Sequence, residues 1–251
     1  MLGLLNPGDE VILFEPCYDS YAPDVVMAGG IPRYVTLRPP DWRFDRRALA
    51  DCFTRRTKLL LVNTPHNPTG KMFTREELAV IGDLCRRHDV LVLTDEVYAE
   101  IRFDGIEHVA IATLPGMWER TLTLNSTGKT FSMTGWKIGY AVGPAELNRA
   151  IRAAHQFVTF ATATPFQEAM AVALETALEL DYYATLRREY TERRDRLRAA
   201  LESAGLPTLP VQGAYFLMAD FAALGFPDDV GFCRYLTREI GVAAIPPSAF
   251  Y

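Results

Sequence analysis

The chain has 251 residues, of which 49% are hydrophobic, and this size and composition allow one large globular domain or two small ones. Its formal net charge of −5 argues against nucleic acid and anionic membranes as partners. The first residues lack the basic region and the long apolar stretch of a signal peptide, and no apolar run approaches the ~20 residues that cross a bilayer, so we expect no membrane partner.

The four cysteines, Cys17, Cys52, Cys85 and Cys233, stand far apart in the sequence. None of them forms a Cys-x-x-Cys motif or a Cys/His pair with the spacing of metal ligands. The pattern therefore predicts reduced thiols, no metal site and a cytoplasmic protein.

Short apolar segments alternate with amphipathic ones through the first part of the chain. In chain order, the patterns predict a strand over 10–14, a helix over 19–29, a strand over 32–37, a helix over 46–53 and a strand over 58–62. A helix from Thr74 follows, and the Thr-x-x-Glu spacing to Glu77 predicts a capping box. Further strands are predicted over 90–93, 121–124 and 140–142. Because strands alternate with helices, the predicted fold class is α/β, with a mostly parallel sheet and flanking helices.

The rest of the chain is first helical and then mixed. The patterns predict helices over 145–160, 165–180 and 181–204, a strand over 212–220, a helix over 229–240 and a strand over 242–245. We therefore interpret residues 1–180 as a large domain and residues 181–251 as part of a smaller α+β domain.

Three residues with useful chemistry, Asn67, Asp95 and Lys129, each come shortly after a predicted buried strand. Ligands of parallel sheets bind beyond the carboxyl ends of the strands, so we expect these side chains to converge on one site. Partial desolvation at a strand end favours the neutral form of a lysine amine, and this form can attack a carbonyl group.

These residue types match the needs of a cofactor that carries an aldehyde on a pyridine ring. Such a cofactor needs an amine that joins the aldehyde, an anion beside the ring nitrogen, and donors for its phenolate oxygen and its phosphate. Lys129 and Asp95 can supply the first two groups. The donors can come from Asn67, Tyr98, Ser126 and Lys137.

Each of these residues also has a purely structural alternative. Asp95 can cap the element that follows while Tyr98 packs in the core, and Asn67 can close a turn through its own backbone. A phosphate-binding loop around Lys129 is disfavoured, because that motif requires glycine where the chain has Thr123.

Three segments resemble one family, the fold-type-I, pyridoxal-phosphate-dependent aminotransferases of class I and II. They are NTPHNPTG at 63–70, TDEVYAE at 94–100 and STGKTFSMTGWKIGYAVG at 126–143, and their spacing also fits the family. The resemblance runs over residues 6–251. It implies pyridoxal 5′-phosphate as cofactor, transamination between an amino acid and a 2-oxo acid, and a homodimer.

The same resemblance implies a role for each matching residue. Lys129 resembles the Schiff-base lysine, which also shuttles the proton between substrate and cofactor. Asp95 resembles the partner of the pyridinium nitrogen, whereas Tyr98 and Asn67 resemble the residues that bond the phenolate oxygen.

Ser126 and Lys137 resemble the phosphate ligands, although many members of the family have arginine in place of Lys137. Together with the segment 15–21, Lys137 resembles the branch that contains kynurenine, glutamine and methionine aminotransferases. In that branch an aromatic residue at the position of Tyr18 stacks on the cofactor ring; the alternative is ordinary core packing. Asn63 corresponds to a residue that touches the substrate carboxylate; the alternative is an asparagine that closes a loop.

The family pattern extends beyond both ends of this chain. An N-terminal phosphate loop and a C-terminal arginine for the substrate carboxylate have no counterpart in it, so the resemblance implies a chain truncated at both ends. Two alternatives to transamination therefore stay open. One is a non-catalytic interaction module that kept the site but lost turnover, and the other is a pyridoxal-phosphate-dependent carbon–sulfur β-lyase.

Overall fold

A six-stranded sheet forms the centre of the molecule in the computed structural model, which describes residues 1–251. Its strands lie in the order β2-β1-β3-β4-β5-β6. They are β1 Glu10–Glu15, β2 Ile31–Thr36, β3 Thr57–Asn63, β4 Leu91–Asp95, β5 Thr121–Ser126 and β6 Gly139–Val142. The first five strands pair in parallel, and β6 pairs antiparallel with β5. The predicted α/β fold with a mostly parallel sheet is thereby confirmed.

The strands β1, β3 and β4 are buried on both faces, as their continuous apolar sequences require, whereas the edge strands β2 and β6 are more exposed. Successive side chains of a strand point to opposite faces. Accordingly, Leu60 and Val62 of β3 belong to one core cluster, and Leu59 and Leu61 belong to a second cluster.

Eight α-helices surround this sheet. They are α1 Tyr21–Met27, α2 Arg46–Asp51, α3 Arg75–Arg87, α4 Thr127–Thr130, α5 Ala145–Val158, α6 Thr164–Glu179, α7 Tyr182–Ser203 and α8 Asp229–Tyr235. The predicted capping box of α3 is confirmed: the Thr74 hydroxyl accepts from the Glu77 N–H at 3.2 Å, and a Glu77 carboxylate oxygen accepts from the Thr74 N–H at 2.9 Å. Buried residues of α2 and α3 join the first core cluster, and those of α1 join the second.

The prediction of two strands near the carboxyl end, over 212–220 and 242–245, is wrong. The first stretch makes only the isolated bridges Arg102↔Gly213 and Thr208↔Ala219, and the second is not extended into any ladder. A strand needs a neighbouring strand for its backbone hydrogen bonds, and neither stretch has one. The helix predicted over 229–240 is α-helical as far as Tyr235 and continues as a π-helix over Leu236–Ile240. The predicted division at residue 180 stays a prediction.

All four cysteines are free thiols, and Cys17, Cys85 and Cys233 are buried. Burial raises the pKa of Cys85 to about 12 and that of Cys17 to about 11. None of the helices combines the length and the hydropathy that crossing a bilayer demands.

Candidate active site

A cavity of about 400 Å³ opens where β3, β4 and β5 end. These three strands are neighbours in the sheet, and their last residues, Asn63, Asp95 and Ser126, all line the cavity. The structure brings all eight sequence-predicted site residues to its wall: Tyr18, Asn63, Asn67, Asp95, Tyr98, Ser126, Lys129 and Lys137.

Lys129 lies just after β5, on the single turn of α4, and is partly buried. Its Nζ donates a hydrogen bond to the Tyr215 hydroxyl at 2.9 Å. The same nitrogen lies 5.9 Å from the ring centroid of Tyr98 and 5.5 Å from that of Tyr215. The lysine amine therefore lies beside two aromatic rings at the wall of the cavity, in a hydrogen bond that is open to solvent.

Asp95 presents its carboxylate to the cavity with two donors already in place. The Tyr21 hydroxyl donates to Oδ2 at 2.6 Å, and the Val97 N–H donates to Oδ1 at 3.1 Å. Burial raises the pKa of this carboxyl group above its ordinary value, while the two donors and the nearby Lys129 charge oppose the rise. The bond from the Val97 N–H caps the turn after β4, which is the structural alternative that we named for Asp95. The bond from Tyr21 is additional to that capping role.

The loop after β3 is closed by Asn63. Its Nδ2 donates to the backbone oxygen of Asp95 at 2.9 Å, and its Oδ1 accepts from the Asn67 N–H at 2.7 Å. The side chain thus has the loop-closing contacts that we named as its alternative, and its contact with a substrate carboxylate stays a prediction. Asn67 differs, because its side-chain oxygen is buried without a hydrogen-bond partner. A buried orphan acceptor at a cavity wall is a place where a ligand donor fits.

Tyr98 is 4% exposed, and its ring meets the Tyr215 ring edge-on with 5.1 Å between the centroids. Burial, together with the neighbouring Tyr215 hydroxyl, raises the pKa of the Tyr98 phenol above its ordinary value, so the phenol stays neutral at physiological pH. Tyr98 combines the core packing of our alternative with a position on the cavity wall. Tyr18 is 43% exposed and packs edge-on against Tyr21 at 5.6 Å, which leaves much of its ring open.

The groups predicted to hold a phosphate form a sparse set. The Ser126 hydroxyl donates to the Ile138 carbonyl oxygen at 3.1 Å and accepts from the Gly128 N–H at 3.0 Å, so it must turn before it can donate to a ligand. Lys137 is exposed and has a left-handed backbone, with φ 58°.

Sequence reasoning missed five residues of this cavity: Tyr21, Val97, Thr134, Tyr215 and Phe216. Two of them, Tyr21 and Tyr215, hydrogen-bond through their hydroxyls to predicted site residues. Tyr21 had a local signal, because it comes three residues after Tyr18, in the same segment, and is the first residue of α1. Tyr215 had none, because it lies 86 residues from Lys129 in the sequence. His66 lies in the loop after β3 and is buried, and its Nδ1 contacts the Thr69 hydroxyl at 2.8 Å.

The residues of this cavity fit a pyridoxal-type cofactor. They offer an amine, a buried carboxylate with fixed donors, a neutral phenol, the Asn67 amide, whose oxygen is buried without a partner, and an exposed ammonium group. A volume of about 400 Å³ lies within the range of cofactor pockets.

Comparisons with known proteins agree with this chemistry. A family model described as "Aminotransferase class I and II" matches residues 1–251. The kynurenine–oxoglutarate transaminase of Dictyostelium discoideum is 44% identical over 99% of this chain and 65% of its own length. The probable N-succinyldiaminopimelate aminotransferase DapC of Mycobacterium tuberculosis is 46% identical over 100% of this chain and 63% of its own length.

A solved structure has the same fold. It is that of YbdL from Escherichia coli, whose description identifies a methionine aminotransferase function. It superposes with a TM-score of 0.95 at 42% sequence identity and covers 100% of this chain and 65% of its own. This chain therefore spans slightly less than two thirds of the length of each of these three relatives.

Proposed function

Because the chain belongs to the family of class I and II aminotransferases, we propose that it carries the cofactor site of a pyridoxal-phosphate-dependent transaminase. Members of this family depend on pyridoxal 5′-phosphate. The proposed reaction moves an amino group between an amino acid and a 2-oxo acid. The observation that carries the proposal is the convergence of Lys129, Asp95 and Asn67, from three neighbouring strand ends, on one cavity.

The cavity residues divide into groups that would hold different parts of the cofactor. Lys129 would join the aldehyde through its amine, and Asp95 would face the ring nitrogen. The Asn67 side-chain amide nitrogen and the Tyr98 hydroxyl would donate to the phenolate oxygen. The remaining assignments follow the family resemblance: Ser126 and Lys137 for the phosphate, Tyr18 for the ring face and Asn63 for the substrate carboxylate.

When bound, the pyridine ring supplies an electron sink for the negative charge that develops on the substrate. The chain's own residues do the rest. Asp95, fixed by Tyr21 and Val97, presents one anionic charge in a constant direction. The neutral Lys129 amine takes a proton from the α carbon of the substrate and later returns it, as a general acid and base. The buried ring of Tyr98 and the half-exposed ring of Tyr215 line the cavity beside this amine, with centroids 5.9 and 5.5 Å from its nitrogen.

One observation favours the non-catalytic alternative. In this chain the phosphate would be met by an engaged serine hydroxyl and one exposed ammonium group, Ser126 and Lys137, which form a thin cradle for a dianion. An interaction module that kept the site without turnover would show this weakness. We also propose a cytoplasmic homodimer; the free thiols support the compartment, and the exposed apolar helices discussed below support the dimer.

The test is covalent fixation of the cofactor. The chain contains four lysines, Lys58, Lys71, Lys129 and Lys137, so peptide mapping after incubation with pyridoxal 5′-phosphate and reduction with borohydride identifies the labelled amine. We expect the label on Lys129 in the wild-type chain and none at that peptide in Lys129→Ala. A dominant label on another lysine would contradict the assignment. A folded chain without any label would favour the non-catalytic module.

A further inference from the structure

The Lys129 amine makes one side-chain hydrogen bond, and its acceptor is the Tyr215 hydroxyl. The lysine Nζ lies 2.9 Å from the tyrosine hydroxyl and 5.5 Å from the centroid of its ring. Nothing in the reaction outlined above uses this contact, and it joins the lysine after β5 to a segment far along the chain.

The segment around Tyr215 is firmly anchored to the sheet side of the cavity. The N–H groups of Gln212 and Gly213 both donate to the backbone oxygen of Gly70, at 2.8 and 2.9 Å, and the Ala214 N–H donates to that of Ile101 at 2.8 Å. A Cβ atom on Gly213 would lie 2.7 Å from the Pro65 side chain, so the two backbones meet more closely than any other residue would allow.

The strained backbone beside Tyr215 agrees with a fixed position. Ala214 is fully buried and has a left-handed φ of 60°, a conformation that alanine rarely adopts. The tyrosine ring itself packs against Tyr98 at 5.1 Å and Phe216 at 4.8 Å between centroids. The hydroxyl is thereby held in place independently of the lysine.

We propose that Tyr215 is a positioning residue for Lys129: its hydroxyl accepts a hydrogen bond from the free lysine amine and fixes the direction of that amine in the cavity. The importance of this for catalysis rests on the proposed function, because a transaminating lysine must be released and must then stay within reach of the substrate's α carbon. A free lysine chain has four rotatable bonds, and an acceptor at a fixed point restricts them.

The hydroxyl can be separated from the ring by one conservative change. Tyr215→Phe removes the acceptor and keeps the contacts of the ring with Tyr98 and Phe216. Tyr190→Phe is the matched control, because Tyr190 stacks on Tyr215 at 6.4 Å and its hydroxyl makes no hydrogen bond within the chain. A merely structural effect of losing a phenol oxygen would affect both variants.

The experiment measures the rate at which each lysine of the cofactor-free chain reacts with trace acetic anhydride, by mass spectrometry, from about pH 7 to about pH 10. The hydrogen bond to the Tyr215 hydroxyl holds the Lys129 amine in place and must break before the amine reacts, so Tyr215→Phe is expected to raise the rate at Lys129 roughly fivefold relative to the exposed Lys137. Tyr190→Phe should leave that ratio unchanged. An unchanged ratio in Tyr215→Phe, or an equal rise in both variants, would overturn the proposal.

This outcome is independent of cofactor binding, so it is distinguishable from the borohydride result. Suppose that Tyr215→Phe raises the acetylation rate of Lys129 relative to Lys137 but borohydride fixes no cofactor on the wild-type chain. The positioning role of Tyr215 would then stand, and the transaminase proposal would be rejected. In a chain that does transaminate, Tyr215→Phe should lower kcat by roughly tenfold and change KM much less, because the amine and not the substrate loses its position.

Discussion

The orientation of single side chains decides the chemistry of the cavity. Asp95 is the clearest case, because burial alone works against the anion that the proposed reaction needs. The Tyr21 hydroxyl and the Val97 N–H return part of that stabilisation, and they also fix where the charge lies. The hydroxyl of Tyr21, 74 residues earlier in the sequence, thus helps to set both the pKa and the orientation of the Asp95 carboxyl group.

At the same scale, His66 is expected to make the protein sensitive to acid. Burial, and secondarily the charge of Lys71, lowers the pKa of this histidine to about 3, whereas the unfolded chain has the ordinary value of about 6.5. Between these values the unfolded state binds the additional proton. The free energy of unfolding should therefore fall, by up to ~1.4 kcal/mol per pH unit, as the pH drops from about 6.5 toward about 3.

Urea denaturation at a series of pH values checks this expectation. The His66→Asn variant should have a shallower slope of unfolding free energy against pH in that window. His155→Asn, at an exposed position of α5, is the control and should follow the wild type. Equal slopes in the wild type and in His66→Asn would show that His66 does not carry the effect.

At the scale of elements, the register of the sheet builds the site. Asn63 and Asp95 are direct partners in the pairing of β3 with β4, and Asp95 faces Leu124 in the pairing of β4 with β5. The strands consequently end at the same level, and the residues that follow them meet over one edge. A shift of one residue in either pairing would turn Asp95 to the other face of the sheet.

Helix α7 is attached to the sheet side of the molecule by an ion pair that should contribute measurably to stability. Arg194 is 11% exposed at its side chain and makes two hydrogen bonds with the Asp104 carboxylate, at 2.6 and 2.9 Å. Its guanidinium also lies 4.7 Å from the centroid of the Phe103 ring. Because the Asp104 side chain is 57% exposed, we expect Arg194→Ala to cost only about 1 kcal/mol of unfolding free energy.

The pair should also depend on pH in a definite direction. The Arg194 hydrogen bonds hold the pKa of Asp104 below its ordinary value, so this stabilisation is present above about pH 3.9 and is lost as the pH falls through the lower, folded-state value. Guanidinium denaturation of Arg194→Ala measures the loss. Arg198→Ala, which removes a more exposed pair with Glu202, should cost less. A larger loss in Arg198→Ala than in Arg194→Ala would refute this ranking.

At the scale of the whole molecule, helices α5 and α6 and the residues just after them expose several large apolar side chains, and contiguous apolar patches mark interaction sites. Phe157 at the end of α5 is 87% exposed and Phe160 just after it is 83% exposed, while Leu178 of α6 and Leu180 beyond it are 75% and 71% exposed. Helix α5 has no buried residue at all. These residues support the proposal of a homodimer that covers them.

Sedimentation equilibrium tests the dimer. We expect the wild-type chain to dimerise and the double variant Phe157→Asp, Phe160→Asp to dissociate at least about tenfold more readily. Trp118→Asp is the control, since Trp118 is 48% exposed and follows Met117 of the first core cluster, whereas α5 packs against the second cluster. A monomeric wild-type chain would contradict the dimer proposal. If the double variant dimerises as tightly as the wild type, the interface does not include Phe157 and Phe160.

The amino-acid sequence by itself predicted the six strands of the sheet, the capping box of α3 and the residues to which we assign the proposed chemistry. These depend on neighbours only a few positions apart: an apolar run predicts β3, and a polar residue after it predicts a place at the sheet edge. The prediction of a strand over 212–220 was wrong because a strand forms only where another strand is available for pairing. A local sequence pattern does not show whether such a partner lies nearby in space.

Only the tertiary structure decided how the predicted side chains are used. In the structure the Asn63 side chain closes the loop after β3. The Tyr21 hydroxyl donates to Asp95, and the Lys129 amine donates to the Tyr215 hydroxyl. Each of these bonds spans 32 to 86 positions in the sequence, apart from the local bond from Asn67. Hydrogen bonds act over about 3 Å in space, and distances of that kind are fixed by packing and pairing of whole elements rather than by any local pattern.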